Sequence, residues 1–411
     1  MKKIILLLLL MTLFLTSCSN DGYFHDTTVS DTEHSPEENS TADTAQLEPS
    51  VAETDVAETH VSETSVSEAK EPDTETSRAE DILANMTVEE KVGQLFLARN
   101  PLSYEDGIAL IEEKHVGGII FFGRDFKSSN PESFKSLIDS YNATSKIPLL
   151  TAVDEEGGTV CRASLYPAFR ESKFKSPAEL YAEGGLDAIL SDAAEKSDFL
   201  LELGLNFNLA PVADIASSKE DFIYERVLGL GREETAEYVS EVVKVMRENG
   251  ILSALKHFPG YGSNEDTHTG IAYDRRSLDE IKQNDLVPFA AGIEAGVPIV
   301  MVSHNIVECI DPNMPSSLSE KVIGMLRNDM DFNGVVITDD LSMDAIKDFS
   351  ESGEAAVLAI LAGADLLCCS NIEEQYSAVL RAVTHGRISE ARLDESVLRL
   401  IKIKLEYKIT E

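Results

Sequence analysis

From about residue 78 onward, eight short apolar runs recur with longer stretches of helical period between them. The runs are GQLFLAR (93–99), GGIIFFG (117–123), PLLTAVD (148–154), NFNLAPVAD (206–214), ILSALKHF (251–258), PIVMVSH (298–304), GVVITDD (334–340) and ADLLCCS (364–370). They are continuous rather than alternating, which suits parallel strands covered on both faces. The intervening segments include EETAEYVSEVVKVMRENG (233–250) and SLDEIKQNDLVPFAAGIEAG (277–296). Each ends at a glycine able to cap a helix. Eight such alternations predict an α/β fold, a (β/α)8 TIM-type barrel, rather than a doubly wound sheet. A single folded domain is expected over 78–411, long enough to bury about three quarters of its unfolded surface.

Barrels of this kind place their chemistry at the C-terminal ends of the strands. Those ends carry Asp154, Asp214, Lys256 with His257, His304, and Asp339 with Asp340. After the fifth run comes KHFPGYGSNEDTHTG (256–270), in which proton carriers are interleaved with three glycines. Asp266 and His268 are two apart, so an extended backbone projects both to one side. A carboxylate beside an imidazole fixes its tautomer and favours the protonated ring. The glycines of 259–270 would permit a closing loop. Asp339 can point into the barrel mouth, where an ionised carboxylate could attack an electrophilic carbon or steady a cation, whereas Asp340 is better suited to capping the next helix. His304 is either a pocket residue or a satisfied structural histidine, and His115 and His385 are expected at the surface.

The first twenty residues, MKKIILLLLLMTLFLTSCSN, have the charged start and short apolar core of an export signal. Leu15 and the small residues before Cys18 resemble the lipobox of bacterial lipoproteins, so that 1–18 are signal peptide and lipobox and Cys18 is implied to become the lipidated first residue of the mature chain. Residues 19–77 are rich in Ser, Thr, Glu and Asp, with the near-repeat VAETDVAETHVSETSVSE. Such a segment buries too little apolar area to fold and is expected to be a disordered linker. The expectation is a membrane-anchored extracytoplasmic protein. Acidic residues outnumber basic ones 73 to 35, for a formal net charge of −38. Nucleic acid is a poor partner for that charge. Cys161, Cys309, Cys368 and Cys369 lack metal-ligand spacing and are expected to be small buried hydrophobes. GGIIFFGRDF lacks the GK[ST] step of a phosphate loop and reads as a strand. No metal or cofactor is expected.

KHFPGYG followed by Asp-Thr-His, with AVDEEGGTVCR, GLNFNLAPVADI and ITDDLSM, resembles glycoside hydrolase family 3, in particular its bacterial β-N-acetylglucosaminidases. The resemblance spans roughly 80–405. It implies a barrel and retaining hydrolysis of terminal β-linked N-acetylglucosamine; a monomer is expected. It further implies Asp339 as nucleophile, His268 as acid/base with Asp266 its partner, and Asp154, Arg226, Lys256 and His257 as holders of the sugar hydroxyls. The chain departs from the family pattern at Tyr261, where His is usual, at Glu155 (Gln) and at Thr159 (Arg), and the segment between Gly262 and Asp266 looks one residue short. A phosphorylase or β-glucosidase of the same family and a non-catalytic sugar-binding lipoprotein remain the alternatives. A neutral histidine base repels incoming phosphate less than a carboxylate does.

Overall fold

The computed structural model describes residues 74–409 apart from 217, 263–265 and 268–269. The signal segment, Cys18, and the linker up to residue 73 lie outside the described residues. The first helix, Thr74–Ala84, begins four residues before the boundary expected from composition.

Ten strands are described: β1 (Phe96–Arg99), β2 (Gly118–Phe121), β3 (Leu150–Val153), β4 (Phe207–Asn208), β5 (Leu252–Phe258), β6 (Tyr273–Asp274), β7 (Ile299–Val302), β8 (Ile306–Val307), β9 (Val335–Thr338) and β10 (Leu367–Cys369). Eight of them form one parallel sheet in the order β10-β1-β2-β3-β4-β5-β7-β9. A parallel bridge between Ile337 and Leu366 joins β9 to β10 and closes the ring. The fold is therefore the eight-stranded barrel that the apolar runs predict, and each run contains one barrel strand. Every residue of β2, β3, β5, β7 and β9 is buried, which is why the runs show no polar alternation.

Two local departures have simple causes. The run 206–214 pairs over only two residues of β4 and then through a bridge from Val212 to Lys256. Pro211 supplies no N–H where the ladder would continue. The segment 277–296 splits into helices Leu278–Gln283 and Leu286–Glu294. Pro288 cannot donate to the Asn284 carbonyl, so one continuous helix is broken there. A short parallel ribbon of β6 and β8, which the apolar pattern does not reveal, lies outside the barrel sheet. Cys161 and Cys368 are buried as expected, but Cys309 is exposed beyond the end of β8.

The N-terminal end of the barrel also buries ionisable groups. Asp365, just before β10, binds Arg327, accepts from Ser396 at 2.7 Å and meets Arg399 at 3.0 Å. Lys404, on helix Glu390–Glu406, donates to the Gln94 side chain and the Gly117 carbonyl at 2.9 Å each. Neither acceptor is charged, and burial pushes the Lys404 ammonium down to about 7. An unfolded chain keeps an ordinary lysine, so between about pH 7 and 10 it binds more protons than the folded one, and stability rises with pH across that window. Unfolding free energies of wild type and Lys404→Met should therefore shift in the variant's favour as pH falls from 10 to 7, and a gap constant with pH would show an ammonium charged throughout.

Candidate active site

A cleft of about 530 Å³ opens at the C-terminal ends of the strands. Asp154 follows β3, Lys256 and His257 belong to β5, and Arg226 closes the short turn Tyr224–Arg226 beyond β4. All four line the cleft together with Asp339, the residue after β9. Five residues spread over 185 positions of sequence thus meet because parallel strands deliver their ends to one rim.

Their charges form one lattice. Lys256 Nζ lies 2.7 Å from Asp154 Oδ1 and 2.6 Å from Glu156 Oε1. Arg226 grips Glu156 with two donors, at 2.9 and 2.7 Å, in the fork geometry that favours guanidinium over ammonium. The same guanidinium lies 3.1 Å from His257 Nε2. On the other side of the ring, Nδ1 is 2.6 Å from Asp214 Oδ2. Asp214 also accepts the His257 N–H at 3.1 Å and the Tyr261 N–H at 2.7 Å, fixing the start of the 257–261 turn. Burial alone would push the Glu156 carboxyl up, but Arg226 and Lys256 outweigh it and hold the group well below the usual carboxylate range. Burial likewise opposes the charge on Lys256, and Asp154 and Glu156 overcome it, so its affinity for the proton is raised.

Glu156 is the central residue that sequence reading missed. The signal was present, because Asp154 and Glu156 are two apart and share a side, while Glu155 faces away. Glu155 is fully buried and accepts the backbone N–H groups of Arg162 and Ala163 at 3.0 and 2.8 Å. It also binds the Ser164 hydroxyl. Its carboxylate organises a loop rather than facing the cleft.

Asp339 lines the cleft, and one of its oxygens accepts the Asp340 N–H at 2.8 Å. Asp340 turns to structure, though not as the expected helix cap. Its carboxylate accepts from Ser342 N at 2.9 Å and from Ser370 N at 3.2 Å, tying the end of β9 to that of β10. The helix that follows, Asp344–Lys347, starts at Met343 instead. His304 is fully buried, with Nδ1 2.7 Å from the Ser317 hydroxyl and Nε2 3.0 Å from the Asp340 carbonyl, so it is a structural histidine.

Tyr261 is buried and does not line the cleft, although its ring packs 5.6 Å from that of His257. Its hydroxyl sits 2.6 Å from Thr267 Oγ1 and accepts the Thr267 N–H at 2.9 Å. Burial pushes the phenol up to about 12, the Thr267 bonds oppose that, and the charges of Asp339 and Asp266 add to it. Asp266 is half-buried, whereas His268 lies outside the described residues. Gly260 and Gly262 serve close packing: both have positive φ, and an added Cβ would fall 2.5 Å from Asp285 and 2.5 Å from the Arg276 guanidinium.

Residues 87–403 match the family described as Glycosyl hydrolase family 3 N terminal domain. The chain belongs to glycosyl hydrolase family 3. Among its relatives, the beta-hexosaminidase of Alkalilimnicola ehrlichii is 34% identical over 290 residues, covering 68% of this chain and 80% of that protein. The beta-hexosaminidase of Methylobacillus flagellatus is 32% identical over 291 residues, with the same coverage. A family 3 beta-N-acetylglucosaminidase from a Paenibacillus species has a TM-score of 0.75 and 35% identity over 79% of this chain. This chain spans 64% of that enzyme's length. A family 3 glycosyl hydrolase from Mycobacterium smegmatis gives a TM-score of 0.71 at 28% identity, over 78% of this chain and 98% of its own. This family 3 chain is a glycoside hydrolase.

Removing one partner from a buried ion lattice strands the others, at a cost of about 3–5 kcal/mol. Glu156→Gln is expected to lower unfolding free energy by about that amount at pH 7. Glu156 has a depressed folded pKa, so its contribution is complete above its ordinary value of 4.5 and is lost as pH falls through the folded value. Chemical denaturation from pH 7 down to pH 3 should show the gap between wild type and variant narrowing below about pH 5.

Proposed function

We propose that the chain is a retaining exo-β-N-acetylglucosaminidase acting on cell-wall-derived or related glycans, anchored outside the cytoplasm through Cys18. The observation that carries the reading is the pairing, in one cleft, of Asp339 with a lattice of hydrogen-bonding charges across the barrel from it. The names of the beta-hexosaminidase relatives and of the Paenibacillus structure support the sugar.

In this mechanism Asp154, Arg226, Lys256 and His257 hold the hydroxyls of the terminal sugar. The Asp339 carboxylate attacks the anomeric carbon as the glycosidic C–O bond breaks. His268, kept protonated by Asp266, gives its proton to the leaving oxygen. Water then adds to the glycosyl–Asp339 ester, losing a proton to His268, and the carboxylate departs. Two inversions leave the β-anomer, as for retaining enzymes generally.

Asp339→Asn is expected to lower kcat on 4-nitrophenyl N-acetyl-β-glucosaminide by about 10⁴-fold or more, the scale on which a nucleophile is lost. His268→Ala should cost far less on that activated glycoside than on chitobiose, whose leaving oxygen needs the proton; equal losses would remove His268 from the acid role. The first sugar released, followed by NMR, should be β-configured N-acetylglucosamine with or without phosphate. A sugar phosphate would instead identify a phosphorylase, and an inert protein that still binds sugar would identify the binding-module alternative. Fractionation of cells expressing the full chain should find it with membranes, and Cys18→Ala should release it.

A further inference from the structure

The active-site cleft does not end at the sugar-holding lattice. Arg99, the last residue of β1, lines both that cleft and a neighbouring cavity of about 450 Å³. The second cavity lies between the ends of β10, β1 and β2 and is also lined by Leu102, Lys114, Arg124 and Ser370.

Arg99 is held at both ends with donors unspent. The next residue, Asn100, is fixed on every side: its N–H donates to the Ile120 carbonyl at 3.0 Å, its Nδ2 to Asp125 at 2.9 Å, its Oδ1 accepts from Tyr141 at 3.2 Å, and its carbonyl binds Arg124. The Arg99 guanidinium lies over the Phe122 ring, 4.8 Å from its centroid. A flat ring orients the guanidinium without using an N–H. Arg99 Nε is buried and has no hydrogen-bond partner among the described residues. Arg162 is placed against the same ring at 5.9 Å, its own Nε is also unpartnered, and its nearest carboxylate is Asp154 at 3.7 Å. Both residues line the cleft, and in a chain of net charge −38 each keeps an Nε without a partner among the described residues.

We infer that Arg99, supported by Phe122 and Arg162, is an anion-recognition point for the leaving part of the substrate, selecting aglycones that carry a carboxylate or phosphate and extend toward the second cavity. The inference rests on the glycosidase reading above. Guanidinium forks match planar oxyanions, and the partial exclusion of water strengthens the pairing. Asp106 and Glu113, on helix Tyr104–Lys114, line the second cavity too, so the anion is assigned to its Arg99 edge and neutral portions to the exposed Leu102.

The test is the ratio of kcat/KM for chitobionate, whose reducing end is a carboxylate, to that for neutral chitobiose, with a reducing-end 6-phosphate of chitobiose as the phosphate arm. Wild type should prefer at least one anionic substrate by about tenfold, as one charge-assisted pair allows. The preference should shrink between 0.05 and 0.5 M NaCl, a change that involves no variant. Arg99→Met should bring the ratio to about one, Arg99→Lys should retain part of it, and Arg99→Glu should invert it. Which arm responds identifies the oxyanion. A wild-type ratio at or below one for both anions, or a ratio unmoved in Arg99→Met, overturns the assignment. Absence of turnover on every N-acetylglucosaminide overturns the glycosidase reading instead. In that event calorimetric binding of chitobionate against chitobiose decides Arg99 separately, with equal affinities counting against it.

Discussion

A carboxylate held almost out of water needs partners for its charge, and Glu156 finds them in two cations that set the upper end of the barrel. Its two oxygens take Lys256 from β5 and Arg226 from the turn beyond β4, so three segments distant in sequence are locked at one height. Lys256 then fixes Asp154, and Arg226 fixes the orientation of His257 against Asp214. The side chains that face the cleft are thus held before any ligand arrives, which lowers the entropy that binding must overcome.

The same economy of partners extends to the backbone. Asp214 and Tyr261 act on the turn that follows β5 from opposite ends, one through two amides and the other through Thr267. Below that turn, Arg276 bridges Asp274 and Asp285, and the two glycines allow the chain to rest on this pair. A glycine-rich stretch read from sequence as freedom to move is therefore, at residues 260 and 262, an adaptation to contact.

The barrel was legible because burial on both faces writes itself as uninterrupted apolar runs, and the count of eight distinguishes this closed ring from an open sheet. Several strand ends were legible for the same reason, since Asp154, Lys256, His257 and Asp339 stand at the ends of their runs and line the cleft, whereas Asp214 and His304 stand at such ends and turn to structure. What escaped was the direction of side chains one residue away from those ends. Glu155 and Glu156 are chemically identical, and only the backbone path sends one to loop amides and the other to Lys256. Arg99 escaped because a basic residue closing an apolar run looks like ordinary solvation; its significance arises from Phe122, the residue that follows the neighbouring strand β2. Cys309 was misread because its neighbours in β8 are apolar while the turn after them is exposed. The short ribbon of β6 and β8 was too brief for periodicity to register.

The Tyr261 phenol carries backbone as well as ring. Its oxygen accepts the buried Thr267 N–H at 2.9 Å and lies 2.6 Å from Thr267 Oγ1. A phenylalanine at this position would keep the ring and remove the acceptor, so the loss of one oxygen would fall on a main-chain amide that has no water to turn to.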